Sequence, residues 1–127
     1  MIDNNMQLQH LLDTIDTLRG EQGCPWVRKQ TSTSLKKYLQ AECDELLAAI
    51  NNDDHDNICE ELGDVLYVLI MIAKINNDLG MFSLKDVLES INAKLIRRHP
   101  HVFAGQTYEN EEQLTAQWQA IKAKEKK

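Results

Sequence analysis

The chain has 127 residues, enough to bury one ordinary hydrophobic core. Its 20 acidic residues against 14 Lys and Arg leave a net charge of −6, which excludes a surface built to coat nucleic acid. Three cysteines (Cys24, Cys43, Cys59) without CxxC spacing exclude a disulfide scaffold or zinc site and predict free thiols in a reducing compartment.

In chain order, Met6, Leu8, Leu11, Leu12, Ile15 and Leu18 recur at helical spacing and predict a first helix ending near Arg19, with Gly20 just past its end. A loop, GEQGCPW, follows, and Trp26 within it reads as a packing anchor. Thr31 to Ser34 offer N-cap hydroxyls for a second helix running to about Ile50. The polar segment 51–56 is too short for anything but an antiparallel return. The next helix, residues 57–79, is apolar on two seams, Ile58, Leu62, Val65, Leu69, Ile72 and Val68, Met71, Ile75. Exposing either seam on a monomer would leave a large patch, so helix pairing between subunits is expected. Gly63 inside this helix reads either as a close backbone approach or as a tolerated defect.

Gly80 ends that helix, and Ser83 with Asp86 resembles a capping box. A fourth helix over residues 84–98 carries Val87, Leu88, Ile91 and Leu95 on one side and Lys94, Arg97 and Arg98 at its C-terminal end, where cations suit the dipole. Pro100 closes it. Residues 104–110 read as a loop and 111–124 as a last helix with Leu114, Trp118 and Ile121 on one side, before a basic tail. With no strand signal or repeat, the expectation is an all-α bundle of four to five helices forming one domain over residues 1–127. The longest apolar run, residues 65–73, is far short of the ~20 residues a membrane span needs. Residues 1–10 are too polar for a signal sequence. A soluble cytoplasmic protein is expected, without membrane or nucleic-acid partners.

The chemistry lies in the segment AECDELLAAINNDDHDNICEELGD, residues 41–64. Glu42 and Glu45 are three apart, as are Glu61 and Asp64, so each pair shares one face of its helix. Glu42 and Glu45 fall within the apolar stripe of Leu35, Tyr38, Leu39, Leu46 and Ala49, while Glu61 and Asp64 open the stripe of Val68, Met71 and Ile75. Acidic pairs at helical spacing are ordinarily solvated surface, but a solubilising charge has no reason to sit in an apolar stripe. Carboxylates aimed at a core are raised in pKa by desolvation and mutual repulsion. A hard divalent cation with oxygen ligands, Mg²⁺ or Mn²⁺, relieves both penalties.

These motifs, LRGEQGCPW, Glu42-x-x-Glu45, Glu61-Leu62-Gly63-Asp64, KLIRRHPHVF over residues 94–103 and WQAIK from Trp118 to Lys122, together resemble the MazG family of nucleoside triphosphate pyrophosphohydrolases over essentially the whole chain. The resemblance implies an α-helical bundle assembling as a homodimer or homotetramer, and Mg²⁺-dependent hydrolysis between the α- and β-phosphates. It implies that Glu42, Glu45, Glu61 and Asp64 hold the metal and form the catalytic set. It further implies that Lys94 and Arg98 contact phosphates, that Trp118 lies against the base and that Lys122 supports the phosphate end. Two positions depart from the family pattern: Ala41 stands where Glu is frequent, and Val27 where Asp usually follows the tryptophan. His99 and His101 read as loop packing. Two further readings fit the same residues. One is a narrow dUTP or phosphoribosyl-ATP pyrophosphohydrolase. The other is a catalytically weak nucleotide-binding regulatory module, suggested by Ala41.

Overall fold

Apolar spacings of three and four become helix throughout the computed structural model, which describes residues 3–126. Met1, Ile2 and Lys127, the last residue of the basic tail, lie outside the described residues. The elements are α1 (Asn4–Arg19), α2 (Pro25–Arg28), α3 (Ser32–Asn51), α4 (His55–Asp78), α5 (Leu84–Arg98), α6 (Pro100–Phe103) and α7 (Glu111–Glu125). No strand occurs among the described residues, so the all-α expectation holds. Five helices correspond to those read from the periodicity. The one-turn helices α2 and α6 were not expected; each starts on a proline, whose missing N–H and fixed φ suit the first helical position.

The chain divides into two compact units, Met1–Leu84 and Lys85–Lys127. In the first, Asp3 caps α1 through the Met6 N–H. Gly20 closes α1 with extended rather than left-handed backbone. Thr31 caps α3 in a reciprocal box, its hydroxyl accepting from the Ser34 N–H and its N–H donating to the Ser34 hydroxyl. Between α3 and α4 only three residues remain, with Asp53 left-handed at φ 52° and Asp54 capping α4 through the Asn57 N–H. That tight return lays α4 back along α3. Ile15, Val27, Leu35, Val68, Ile70, Met71 and Ile75 form the core, and the ion pairs Arg19–Asp78 (2.6 Å) and Lys74–Asp16 (2.9 Å) tie α1 to α4.

The core separates the two seams of α4. Val68, Met71 and Ile75 are buried within the unit, whereas Leu62 and Leu69 of the other seam are about half exposed, with Leu66 beside them. Only one seam therefore remains to be covered. The Val27 departure also has a physical setting, since the side chain is 5% exposed inside the core, where an ionised Asp would need a partner. Gly23 is required by space: a Cβ there would lie 2.2 Å from the Leu18 carbonyl oxygen at the end of α1. The close approach lets the Cys24 N–H donate to that same oxygen (2.9 Å), which holds α2 against the end of α1. Gly63 is the opposite case, with open space where its Cβ would be, so nothing in the described chain approaches it closely.

In the second unit, Asn110 caps α7 through the Gln113 N–H, and Gly105 turns the preceding loop at φ 68°. The apolar stripe of α5 is not covered: Val87, Leu88, Ile91 and Leu95 are all exposed. No helix among the described residues is long and apolar enough to cross a membrane.

Candidate functional site

The antiparallel return of α4 on α3 brings the two acidic pairs together. Glu42, Glu45, Glu61 and Asp64 each offer a carboxylate oxygen, and these four atoms all lie within 4.8 Å of one another. Glu61 is buried, 9% exposed, and Glu42 is half-buried. Among the described residues none of the four is ion-paired with a Lys or Arg. Glu42 Oε2 and Glu61 Oε2 are buried without any hydrogen-bond partner.

The electrostatics follow from that crowding. Burial raises the Glu42 carboxyl above its ordinary range, and the charges of Glu45 and Asp64 push it further. Glu61 is pushed up to about 7, first by burial, then by a hydrogen bond to Glu45 and by the charges of Glu45, Asp64 and Glu42. Glu45 and Asp64 are exposed, but the two buried oxygens of Glu42 and Glu61 lack a partner, and a cation held by the cluster would satisfy them. An all-oxygen donor set without sulfur or imidazole suits a hard divalent ion. The residues therefore fit the metal expected of them.

A cleft of 190 Å³ adjoins these acids, with Glu42 and Asp64 on one wall and Trp26, Tyr38, Tyr67 and Met71 on the others. Trp26 lies in the one-turn helix α2 rather than in a loop and is 38% exposed; it stands edge-on to Tyr38, ring centroids 5.2 Å apart at 88°, and lines the cleft. Only the fold, through the Gly23 approach, brings the GCPW segment beside the acids. Ala41 is exposed on α3, one residue before Glu42.

The remaining expected site residues all belong to the second unit. Lys94 and Arg98 are one helical turn apart on α5, and Trp118 and Lys122 one turn apart on α7. Lys122 Nζ lies 4.3 Å from the centroid of the Trp118 ring, a cation–π contact that caps one indole face. A cleft of 270 Å³ is lined by Arg98, His99, His101, Gln117 and Trp118, among others. His99 and His101 are committed to packing: His99 Nδ1 meets the Leu95 carbonyl at 2.6 Å, and the His101 ring stands edge-on to Tyr108 at 5.5 Å.

Glu125 was missed from sequence. Its carboxylate accepts from Arg98 Nε (3.0 Å) and Nη2 (2.8 Å) and from Arg97 Nε. The hydrogen bonds from Arg97 and Arg98 hold its carboxyl down at about 2. The available signal was its position two turns after Trp118 on one helix face. Gln117 was missed as well: its amide N–H donates to the Thr107 carbonyl (3.0 Å), leaving a buried, unpartnered Oε1 beside the cleft.

Residues 30–103 match the model of the MazG nucleotide pyrophosphohydrolase domain. The nucleoside triphosphate pyrophosphohydrolase/pyrophosphatase MazG of Thermotoga maritima is 43% identical over 129 residues, covering 99% of this chain and 48% of that protein. The nucleoside triphosphate pyrophosphohydrolase of Escherichia coli K12 is 39% identical, covering 94% of this chain and 46% of that protein. An uncharacterized protein, YabN of Bacillus subtilis, is 48% identical over 88% of this chain but only 23% of its own length. The chain thus spans about half, or less, of the curated relatives it matches. The crystal structure of a mazG-related protein from Thermotoga maritima superposes with a TM-score of 0.75 at 28% identity, covering 91% of this chain and 98% of that one.

Proposed function

The chain belongs to the MazG nucleotide pyrophosphohydrolase family, and from that premise we propose that it hydrolyses (deoxy)nucleoside triphosphates to the monophosphate and pyrophosphate. On this reading residues 1–127 act as one MazG-like domain, with Mg²⁺ or Mn²⁺, in the cytoplasm, as a homodimer or homotetramer, clearing unwanted nucleotides. The observation that carries it is the convergence of Glu42, Glu45, Glu61 and Asp64 within 4.8 Å, with two buried oxygens lacking any partner.

Those four side chains would hold the cation, which when bound neutralises charge on the reacting phosphate and favours attack by water. Phosphoryl transfer to water needs little covalent help, so the protein's part is positioning and charge. Lys94, Arg98 and Lys122 bind the phosphates and spread the charge of departing pyrophosphate, which makes attack at the α-phosphorus the favoured course. Trp118, with Lys122 over one face, has its other face for the base.

A second placement of the nucleoside is favoured by one observation, the aromatic cleft walled by Glu42 and Asp64. Attack at the α-phosphorus puts the nucleoside a single ester link from the reacting centre, and this cleft adjoins the acids directly. Comparing Trp26→Ala with Trp118→Ala separates the two: the variant with the larger rise in KM marks the base contact.

Hydrolysis in ¹⁸O-labelled water tests the reaction itself. Equal amounts of monophosphate and pyrophosphate are expected, with the label in the monophosphate. Orthophosphate and a diphosphate as primary products, or label in pyrophosphate alone, would overturn the pyrophosphohydrolase assignment. A panel of common NTPs and dNTPs, with dUTP and phosphoribosyl-ATP, distinguishes broad from narrow specificity. Absence of turnover across the panel would favour the nucleotide-binding regulatory module.

A further inference from the structure

The basic doublet at the end of α5 is not bare. Arg98 donates from Nε and Nη2 to a single oxygen of Glu125, at 3.0 and 2.8 Å, while Arg97 Nε donates to the other oxygen. Both Glu125 oxygens are thereby used, and the inner edge of the Arg98 guanidinium is anchored. A guanidinium has a second edge, formed by Nη1 and the outward N–H of Nη2, and no residue among those described occupies it at Arg98. The side chains of Arg98 and Glu125 are 21% and 20% exposed, so the pair is partly withdrawn from water. Arg98 also lines the 270 Å³ cleft that Trp118 borders.

A free arginine at a helix end samples many rotamers, and that freedom is lost when it grips an anion. Fixing one edge beforehand removes most of the cost and leaves the opposite fork in the planar geometry that suits two phosphate oxygens. We propose that Glu125 is the positioning residue for Arg98, holding its guanidinium so that the outer edge is presented to a phosphate group of the substrate. This rests on the phosphate-binding role given to Arg98 above. Nothing in the proposal requires Glu125 to touch substrate.

Two other roles would give different results. As a mere clasp between α5 and α7, Glu125 would affect folding and not phosphate binding. As an internal competitor, an anion that substrate must displace, its removal would tighten binding. Simple electrostatics predicts the same tightening, since Glu125→Gln deletes a negative charge beside an anion site. Weakened binding in that variant is therefore specific to positioning.

The experiment uses the full chain as wild type, Glu125→Gln, Arg98→Ala and the double variant, each with its melting temperature recorded. Inorganic tripolyphosphate is the probe, its binding followed by calorimetry, beside kcat and KM for pyrophosphate release from the best nucleotide of the panel. Arg98→Ala should weaken tripolyphosphate binding by about ten- to a hundredfold, the range of a charge-assisted hydrogen bond. Glu125→Gln should weaken it by about five- to tenfold, raise KM more than it lowers kcat, and add less than about twofold on the Arg98→Ala background, because the two act as a unit. Unchanged or tighter tripolyphosphate binding in folded Glu125→Gln overturns the proposal, as do additive effects in the double variant. If Glu125→Gln fails to fold, Glu125→Asp, which keeps the charge but shortens the reach, carries the same comparison. Wild type that binds tripolyphosphate but releases no pyrophosphate from any nucleotide sinks the pyrophosphohydrolase reading, while the binding comparison still decides the role of Glu125.

Discussion

Metal affinity should depend on pH through Glu61. Its carboxyl is held at about 7 by burial and by its three acidic neighbours, against an ordinary value of 4.5. With a pKa near 7, Glu61 is about nine-tenths protonated at pH 6 and about one-tenth at pH 8. A cation needs the ionised carboxylate, so binding at pH 6 must expel about one proton, and binding at pH 8 almost none. The apparent Kd for Mg²⁺ should therefore tighten about tenfold from pH 6 to pH 8. Glu42, raised for the same reasons, can only steepen this trend. The metal-free protein should behave in the opposite sense. Below pH 4.5 the folded and unfolded chains both carry the Glu61 proton. Between 4.5 and about 7 only the folded chain keeps it, so stability falls as pH rises through that window and the penalty is complete above it. Calorimetric Mg²⁺ titrations in two buffers of different ionisation enthalpy measure both affinity and protons released. Glu61→Gln should sharply reduce the proton release and flatten most of the metal-free stability profile, leaving the smaller contribution of Glu42. A Kd that is the same at pH 6 and pH 8, with no proton released at either, would refute the assignment of Glu61 as a buried, crowded ligand.

Chelation of divalent cations should abolish turnover, and Asp64→Ala should do so while leaving the melting temperature of the metal-free protein unchanged or higher, because it removes one of four crowded like charges; a variant with wild-type activity removes Asp64 from the metal site. Light scattering at micromolar concentration should give at least a dimer, since Leu62, Leu66 and Leu69 on α4 and the Val87–Leu88–Ile91–Leu95 stripe on α5 are uncovered; a monomer would contradict the proposed assembly. Gly63→Ala should stabilise the fold by about 1 kcal/mol, because the new methyl meets open space in a helix interior. A loss of stability in thermal melts would mean that another chain approaches Gly63 where this one does not.

Much of the site was determined by local sequence alone. Carboxylates three apart on a helix must share a face, and the polar segment 51–56 is short enough to send the next helix back along the first. The convergence of Glu42 and Glu45 with Glu61 and Asp64 follows from spacing and turn length, with no knowledge of the rest of the fold. The five long helices were legible for the same reason, since their hydrogen bonds and caps are made within a few residues. What needed the tertiary structure was every choice between equivalent local options. Both seams of α4 have helical period and apolar side chains, and only packing against α1 and α3 decides that Val68, Met71 and Ile75 go inside while Leu62 and Leu69 stay out. Val27 reads as a lost carboxylate in sequence and as a core residue in three dimensions. Gly23 and Gly63 are the same residue type, yet one is pressed against the Leu18 carbonyl and the other faces empty space. The grip of Glu125 on Arg97 and Arg98 spans some 27 residues of chain. No periodicity encodes such a contact, because the two helices carry their charges independently and only their packing brings those charges within hydrogen-bonding distance.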